Sequence, residues 1–180
     1  MAIKFSRYWS MPSQWTFTIP PIRKLLDRHV GDGVGWVDPF AGENSPAEIT
    51  NDLNPDRKAT FCMKAENFIQ TLEGQYKGVL FDPPYSNRQI KECYEGVGIK
   101  FSKKDAERMF SMEKRMLAEK VQVGGLAICF GWNSGGMGKR LGFEMIEVML
   151  VHHGGVHHDT IVTVERKFQE KLFDKPDRKP

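Results

Sequence analysis

The chain is 180 residues long, with 40% hydrophobic residues, 27% charged residues and a formal net charge of +3. These values suit a single domain with its own core, and no apolar run approaches the roughly 20 residues of a membrane span. Its three cysteines, Cys62, Cys93 and Cys129, lie far apart and form no CxxC pair, which argues against a disulfide framework or a zinc site and fits a reducing cytoplasm.

Met1–Ser10 carries neither the apolar stretch nor the cleavage pattern of a secretion signal. Pro20-Pro21 opens a helical stretch over Ile22–Val30, with Ile22, Leu25 and Leu26 on one face, and Gly31–Gly35 ends it. Trp36–Asp38 reads as a short strand running into the loop PFAGENSP, and Glu48–Asp52 as a second strand. Ala59–Cys62 fits either a helix or a strand. Glu66–Leu72 is helical, with Phe68, Ile69 and Leu72 as its apolar side. Gly78–Phe81 is a buried strand. Lys103–Val121 is the longest predicted helix, with Met109, Met112, Met116 and Leu117 as a core-facing stripe and Gly124-Gly125 as its stop. Leu126–Phe130 is another strand. Met145–Val151 and Thr160–Glu165 are two more, joined by HHGGVHHD. Beyond Phe168 the chain reads as a solvated, basic extension over residues 169–180, leaving one domain over residues 1–168.

Strands separated by helices predict a mainly parallel α/β sheet. Two last strands with only a turn-rich link predict an antiparallel pair at its end. Ligands of such sheets gather at the carboxyl ends of the strands. The polar and Gly/Pro-rich segments fall there: DPFAGEN, NDLNP, DPPYS and GWNSGG each follow a predicted strand. Four loops thus converge on one crevice.

Each loop has a chemistry. Gly42 lets the first loop turn tightly or approach a ligand, although the full GxGxxG fingerprint is absent and an ordinary turn has the same look. Asp38, at the strand's end, is placed to face a cationic amine. Asp52 closes the second strand, where an acid accepts hydrogen bonds from a ribose diol; an Asx turn ahead of Pro55 would use it equally well. In DPPYS, Pro83 and Pro84 fix two successive φ angles and push their predecessors toward extended backbone. Asp82 and the Pro83 carbonyl become fixed acceptors beside the Tyr85 ring. Two aimed acceptors and a π-face suit a planar heterocycle bearing an exocyclic amine. The HHGGVHHD segment holds four histidines and Asp159, but its spacing matches no standard zinc pattern; a glycine-bent hairpin lining the crevice or touching nucleic acid is the other reading. NSGGMGK lacks the phosphate-loop spacing and reads as a flexible loop near the site. Glu165-Arg166-Lys167 closes the last strand with mixed charge and no binding role.

The order DPFAG, TNDLNP, DPPYS, FGWNS, GMGK and HGG…HHDTI resembles the DPPY-type DNA adenine-N6 methyltransferases, class I S-adenosylmethionine-dependent enzymes, and above all the small phage and prophage forms. The resemblance covers roughly Met11 to Lys167. It implies a Rossmann-like class I methyltransferase fold, S-adenosylmethionine as cofactor and DNA as partner. By position it implies a catalytic tetrapeptide at Asp82, Pro83, Pro84 and Tyr85. It implies cofactor contacts at Asp38, Pro39, Phe40, Ala41, Gly42 and Asn44, at Asp52 with Leu53 near the adenine, at Glu66 and at Asp82. It also implies that Trp15, Phe17 and Thr18 close over the methionine end. The family's second loop glycine is replaced here by Asn44.

No segment is long enough for a large target-recognition domain, so sequence readout is expected from short loops, chiefly Ser86–Lys104, or to be loose. Clustered cations neutralise phosphates. Met1–Val30 carries Lys4, Arg7, Arg23, Lys24 and Arg28 against Asp27 alone, and Ser86–Lys120 carries nine basic and six acidic residues. Arg88, Lys91, Lys103 and Lys104 are the expected contacts to the nucleic-acid backbone, with Tyr85 replacing the stacking of a flipped base; a solvated mixed-charge surface would look alike. Two alternatives share this fold: an RNA base amino-methyltransferase, and a non-catalytic binding protein.

Overall fold

A computed structural model describes residues 2–102, 110–155 and 157–168. In chain order its elements are β1 (Lys4–Trp9), α1 (Pro20–His29), β2 (Trp36–Asp38), β3 (Ile49–Asp52), β4 (Phe61–Cys62), α2 (Ala65–Thr71), β5 (Tyr76–Phe81), α3 (Asn87–Gly96), α4 (Ser111–Lys120), β6 (Val121–Gly131), β7 (Phe143–His152) and β8 (Thr160–Lys167). Short 3₁₀ turns, Thr16–Thr18 and Lys139–Leu141, precede α1 and β7. All eight strands form one sheet in the order β1-β7-β8-β6-β5-β2-β3-β4.

Alternation along the strands builds a core on each face. On one face Leu80, Ile128, Phe130, Val162 and Val164 pack against Ile22, Leu25 and Leu26 of α1. On the other, Val79, Phe81, Ala127 and Cys129 pack against Phe68 and Ile69 of α2 and Leu117 and Ala118 of α4. Pro20 and Pro21 start α1 because their fixed φ suits a first turn whose N–H groups lack helical partners.

The neighbouring pairs β2–β3, β2–β5 and β5–β6 are all parallel. From β2 the chain moves outward to β3 and β4, then returns to β5 on the other flank of β2. Strand order therefore reverses between β2 and β5, and the carboxyl ends of β2, β3, β5 and β6 share one rim. The expected antiparallel pairing of the last two strands is present, but inside the sheet: β8 lies between β6 and β7 and runs antiparallel to both.

Several expectations are corrected. β1, not anticipated, adds a parallel edge strand on β7; KFSRYW shows no apolar alternation because almost all of it is exposed. Ala59–Cys62 resolves into the two-residue strand β4 on β3. Ser86–Lys104 is not a loop at its start: Ser86 and Gln89 form a reciprocal capping box that begins α3. Gly124-Gly125 does not stop α4, which ends at Lys120; both glycines lie within β6, where its pairing with β5 shifts register. Buried Lys167 donates to the carbonyls of Ala118 and Val121, at 2.6 and 2.7 Å, and so serves the end of α4. Met112 is exposed, so the methionine stripe reduces to Leu117 with partly buried Met116. Met109, Lys103, Lys104, the start of the Lys103–Val121 helix and the 169–180 extension lie outside the described residues. Among the described residues no helix is long and apolar enough to cross a membrane, and all three cysteines are free.

Candidate active site

The loop after β2 is held by the side chains around it. Asp38 is fully buried; one carboxylate oxygen accepts the Phe40 N–H at 2.9 Å and the other the Ser45 hydroxyl at 2.6 Å. Burial pushes its pKa up to about 7, against those two hydrogen bonds. Asn51, also buried, donates to the carbonyls of Pro39 and Met63 and accepts the Met63 N–H, all near 3 Å. Its main-chain carbonyl takes the Ala41 N–H. Asp52 accepts from Gly42 at 2.9 Å with one oxygen and from Asn54 at 2.8 Å with the other. The second contact is the anticipated Asx turn; the first ties that turn to the glycine loop. Gly42 sits at φ +56°, where a β-carbon would be strained and would touch the Trp15 ring.

These loops line one cleft of about 620 Å³ at the carboxyl rim, across the β2–β5 switch point. Trp15 is part of the lining: the Arg57 guanidinium lies 4.8 Å from the Trp15 ring centre and pairs with Glu43 at 3.0 Å. Three segments distant in sequence are joined there.

The tetrapeptide follows β5 directly into this cleft. The Tyr85 hydroxyl donates to the Asp82 carboxylate, and Thr16 bonds both groups. Gln89 accepts the Tyr85 N–H at 2.7 Å, so the corner is braced by the first turn of α3. Burial raises the Asp82 pKa to about 6, and the bonds from Tyr85 and Thr16 hold it from rising further. Burial, then the Asp82 charge, raises the Tyr85 phenol well above its usual value, so the hydroxyl keeps its proton and remains a donor.

The cleft lining carries Glu43, Asp52, Glu66, Asp82, Glu92 and Glu113 against Arg57 and Lys64, six acids to two bases. Such a lining disfavours a polyphosphate and suits a cationic ligand beside a neutral heterocycle.

Of the residues anticipated for this site, Trp15, Phe17, Pro39, Phe40, Ala41, Gly42, Asn44, Asp52, Leu53, Glu66, Asp82, Pro83, Pro84 and Tyr85 line the cleft together. Asp38 and Thr18 do not. The Asp38 carboxylate is consumed in bracing its loop rather than facing an amine, and the Thr18 hydroxyl bonds the Trp15 carbonyl and Ser13. Arg88 and Lys91 lie on α3 outside the cleft, paired with Glu92 at 2.7 Å and Glu95 at 3.7 Å. NSGGMGK is not in the lining either, and it is pinned: buried Glu165 accepts the N–H groups of Met137 and Gly138, and Lys114 holds the Gly136 carbonyl. His152 pairs with Asp159 at 2.8 Å, and buried His153 bridges the Ser10 carbonyl and the Thr160 hydroxyl. Sequence reasoning missed Thr16, Asn51 and the α3 residues Ile90, Cys93 and Tyr94. Thr16 stood inside a block whose neighbours were singled out, and only the 3₁₀ turn aims it at Asp82.

No protein-family model and no curated protein sequence matches the chain. Solved structures do. TrmN from Thermus thermophilus matches with a TM-score of 0.57 at 17% identity, over 83% of this chain and 49% of that one. This chain therefore spans about half of TrmN. The N-methyltransferase NodS from Bradyrhizobium japonicum matches with a TM-score of 0.51 at 8% identity, over 82% and 94% of the two chains. The fold is the Rossmann-like class I methyltransferase fold. A third match, yhhF from Escherichia coli, covers 88% of this chain and 92% of that one, with a TM-score of 0.52 at 10% identity. At these identities the likeness is one of fold.

Proposed function

We propose that this chain transfers a methyl group from S-adenosylmethionine to the exocyclic N6 amine of adenine in DNA, acting on a base turned out of the duplex. The observation that carries the reading is that Asp82–Tyr85, the glycine loop Phe40–Gly42 and Asp52 all line one acid-rich cleft at the switch point of a methyltransferase fold. Bound S-adenosylmethionine supplies an activated methyl group on a sulfonium. The residues present fit that group: the acidic lining suits its positive charge, Gly42 lets the backbone come close, and Asp52 and Glu66 offer acceptors for ribose and adenine.

The chain's own task is position and electrostatics. Asp82 and the Pro83 carbonyl would take the two amine hydrogens and hold the nitrogen lone pair toward the methyl; the new N–C bond would replace the sulfonium C–S bond, S-adenosylhomocysteine would leave as a neutral thioether, and the alkylated nitrogen would lose its extra proton to solvent. The Tyr85 hydroxyl occupies Asp82 in this structure, so the amine enters by sharing or displacing that bond. The adenine N6 lies inside a duplex, so the base must leave the stack, and the Tyr85 ring replaces its lost neighbour. Reduced cysteines fit a cytoplasmic site of action.

Asp82→Ala should abolish transfer while S-adenosylmethionine still binds, measured by labelled-methyl incorporation and calorimetry. Near-normal turnover in Asp82→Ala would end this assignment. Incorporation into RNA alone would keep the chemistry and change the polymer.

A further inference from the structure

The segment after β6, Trp132-Asn133-Ser134-Gly135, played no part in the cleft, yet all four residues are exposed. Trp132 is 40% exposed, unusual for the largest apolar side chain. Its surroundings are aromatic on two sides. The Tyr85 ring meets it edge-on at 5.7 Å, and the His158 imidazole lies across it at 4.2 Å and 36°. Trp132 follows the carboxyl end of β6, the strand beside β5, and so stands on the same rim as the tetrapeptide. An indole buttressed by an imidazole, one ring away from the proposed base-holding tyrosine, is a stacking surface left partly uncovered among the described residues.

We propose that Trp132, backed by His158, is the stacking site for the nucleotide next to the flipped adenine, and that the exposed polar atoms of Asn133 and Ser134 face that neighbour's edge. This deepens the function proposed above and rests on it for the word "flipped". It also moves readout away from α3, whose described cations Arg88 and Lys91 are engaged with glutamates on their own helix. Base stacking on an aromatic ring is tolerant of sequence, and the Asn133 side chain, whose oxygen already takes the Gly135 N–H at 2.9 Å, is presented by a fixed turn.

The test compares two single strands of about a dozen nucleotides, oligodeoxyadenosine and a wholly abasic strand of the same phosphate count, at one fixed salt concentration. Binding of wild type, Trp132→Ala and Trp132→Phe is read by fluorescence anisotropy, with thermal melting to confirm folding. Trp132→Ala is expected to lose roughly tenfold in affinity for oligodeoxyadenosine and nothing for the abasic strand, with Trp132→Phe between. Equal affinity of Trp132→Ala and wild type for oligodeoxyadenosine, or equal loss on both strands, overturns the inference. The base-dependent loss in Trp132→Ala, together with a wild type that binds but methylates nothing, overturns the proposed function and leaves the stacking site standing.

Discussion

Tyr85→Phe isolates the one bond that most directly ties the tetrapeptide's chemistry to its geometry. The Asp82 carboxyl is raised by burial from 3.8 to about 6, with the Tyr85 hydroxyl the first of the two bonds that resist the rise. A hydrogen bond to a charged group contributes ~1.5–3 kcal/mol, and one pKa unit is about 1.4 kcal/mol. Removing the hydroxyl while keeping the ring should therefore lift Asp82 by about one to two units, into the range of about 7 to 8. Ionised Asp82 supplies the negative charge that offsets the positive charge developing on the amine nitrogen, so transfer is lost as pH falls through the folded pKa. The acid limb of the rate profile should then lie near pH 6 in wild type and shift upward in Tyr85→Phe, while transfer at pH 9 stays close to wild type. Carboxyl ¹³C NMR of aspartate-labelled protein gives the same titration without turnover, with Asp82→Asn assigning the resonance. An Asp82 midpoint near 4 in wild type, or no upward shift in Tyr85→Phe, refutes the reasoning.

Other consequences are as specific. Asn51→Ala strands three main-chain groups, one of buried Pro39 and two of half-buried Met63, and should cost ~1–3 kcal/mol in urea denaturation while weakening S-adenosylmethionine binding through the misplaced glycine loop; unchanged stability would contradict the bracing role of these bonds. Asp38, raised from 3.8 to about 7, keeps in the folded state a proton that the unfolded chain loses. Its contribution is full below about pH 4 and lost as pH rises to about 7, so stability should fall across that window by up to ~4 kcal/mol, three units at 1.4 each. Asp38→Asn should flatten the fall, leaving the smaller slope due to Asp82; an unchanged slope in melting temperature against pH counts against it. Gly136 lies at φ +48°, and a β-carbon there would come within 2.1 Å of the Glu165 carboxylate. Gly136→Ala should destabilise by ~2 kcal/mol or more, and an unaltered melting temperature would show that the Glu165 anchor yields freely.

What the sequence made legible were features that repeat along the chain. The strands at Gly78–Phe81 and Leu126–Phe130, the helix at Ile22–Val30 and the loops at their ends all announced themselves through apolar runs and Gly/Pro punctuation. Because those loops follow parallel strands, placing them on one rim required no coordinates. Features made by contact between distant residues could not be read this way. β1 is held by ladder bonds to β7, and its own side chains carry no pattern. Asp38 had the right residue type at the right place, yet Ser45 and the Phe40 N–H claim its oxygens. Arg88 and Lys91 looked like a basic patch until the helix set each beside a glutamate one turn on. GWNSGG was legible as a loop on the rim, but Trp132 itself received no role; its value lies in its proximity to Tyr85 and His158, separated from it by 47 and 26 positions in the sequence.

Nucleoside mass spectrometry of the methylated product tests the central claim most directly. Purified chain, S-adenosylmethionine labelled in the methyl group and adenine-containing duplex DNA are incubated, and the DNA is digested to nucleosides. The account predicts label in N6-methyldeoxyadenosine, absent with Asp82→Ala. Label in any other nucleoside, or in none while the cofactor is seen to bind, would contradict it.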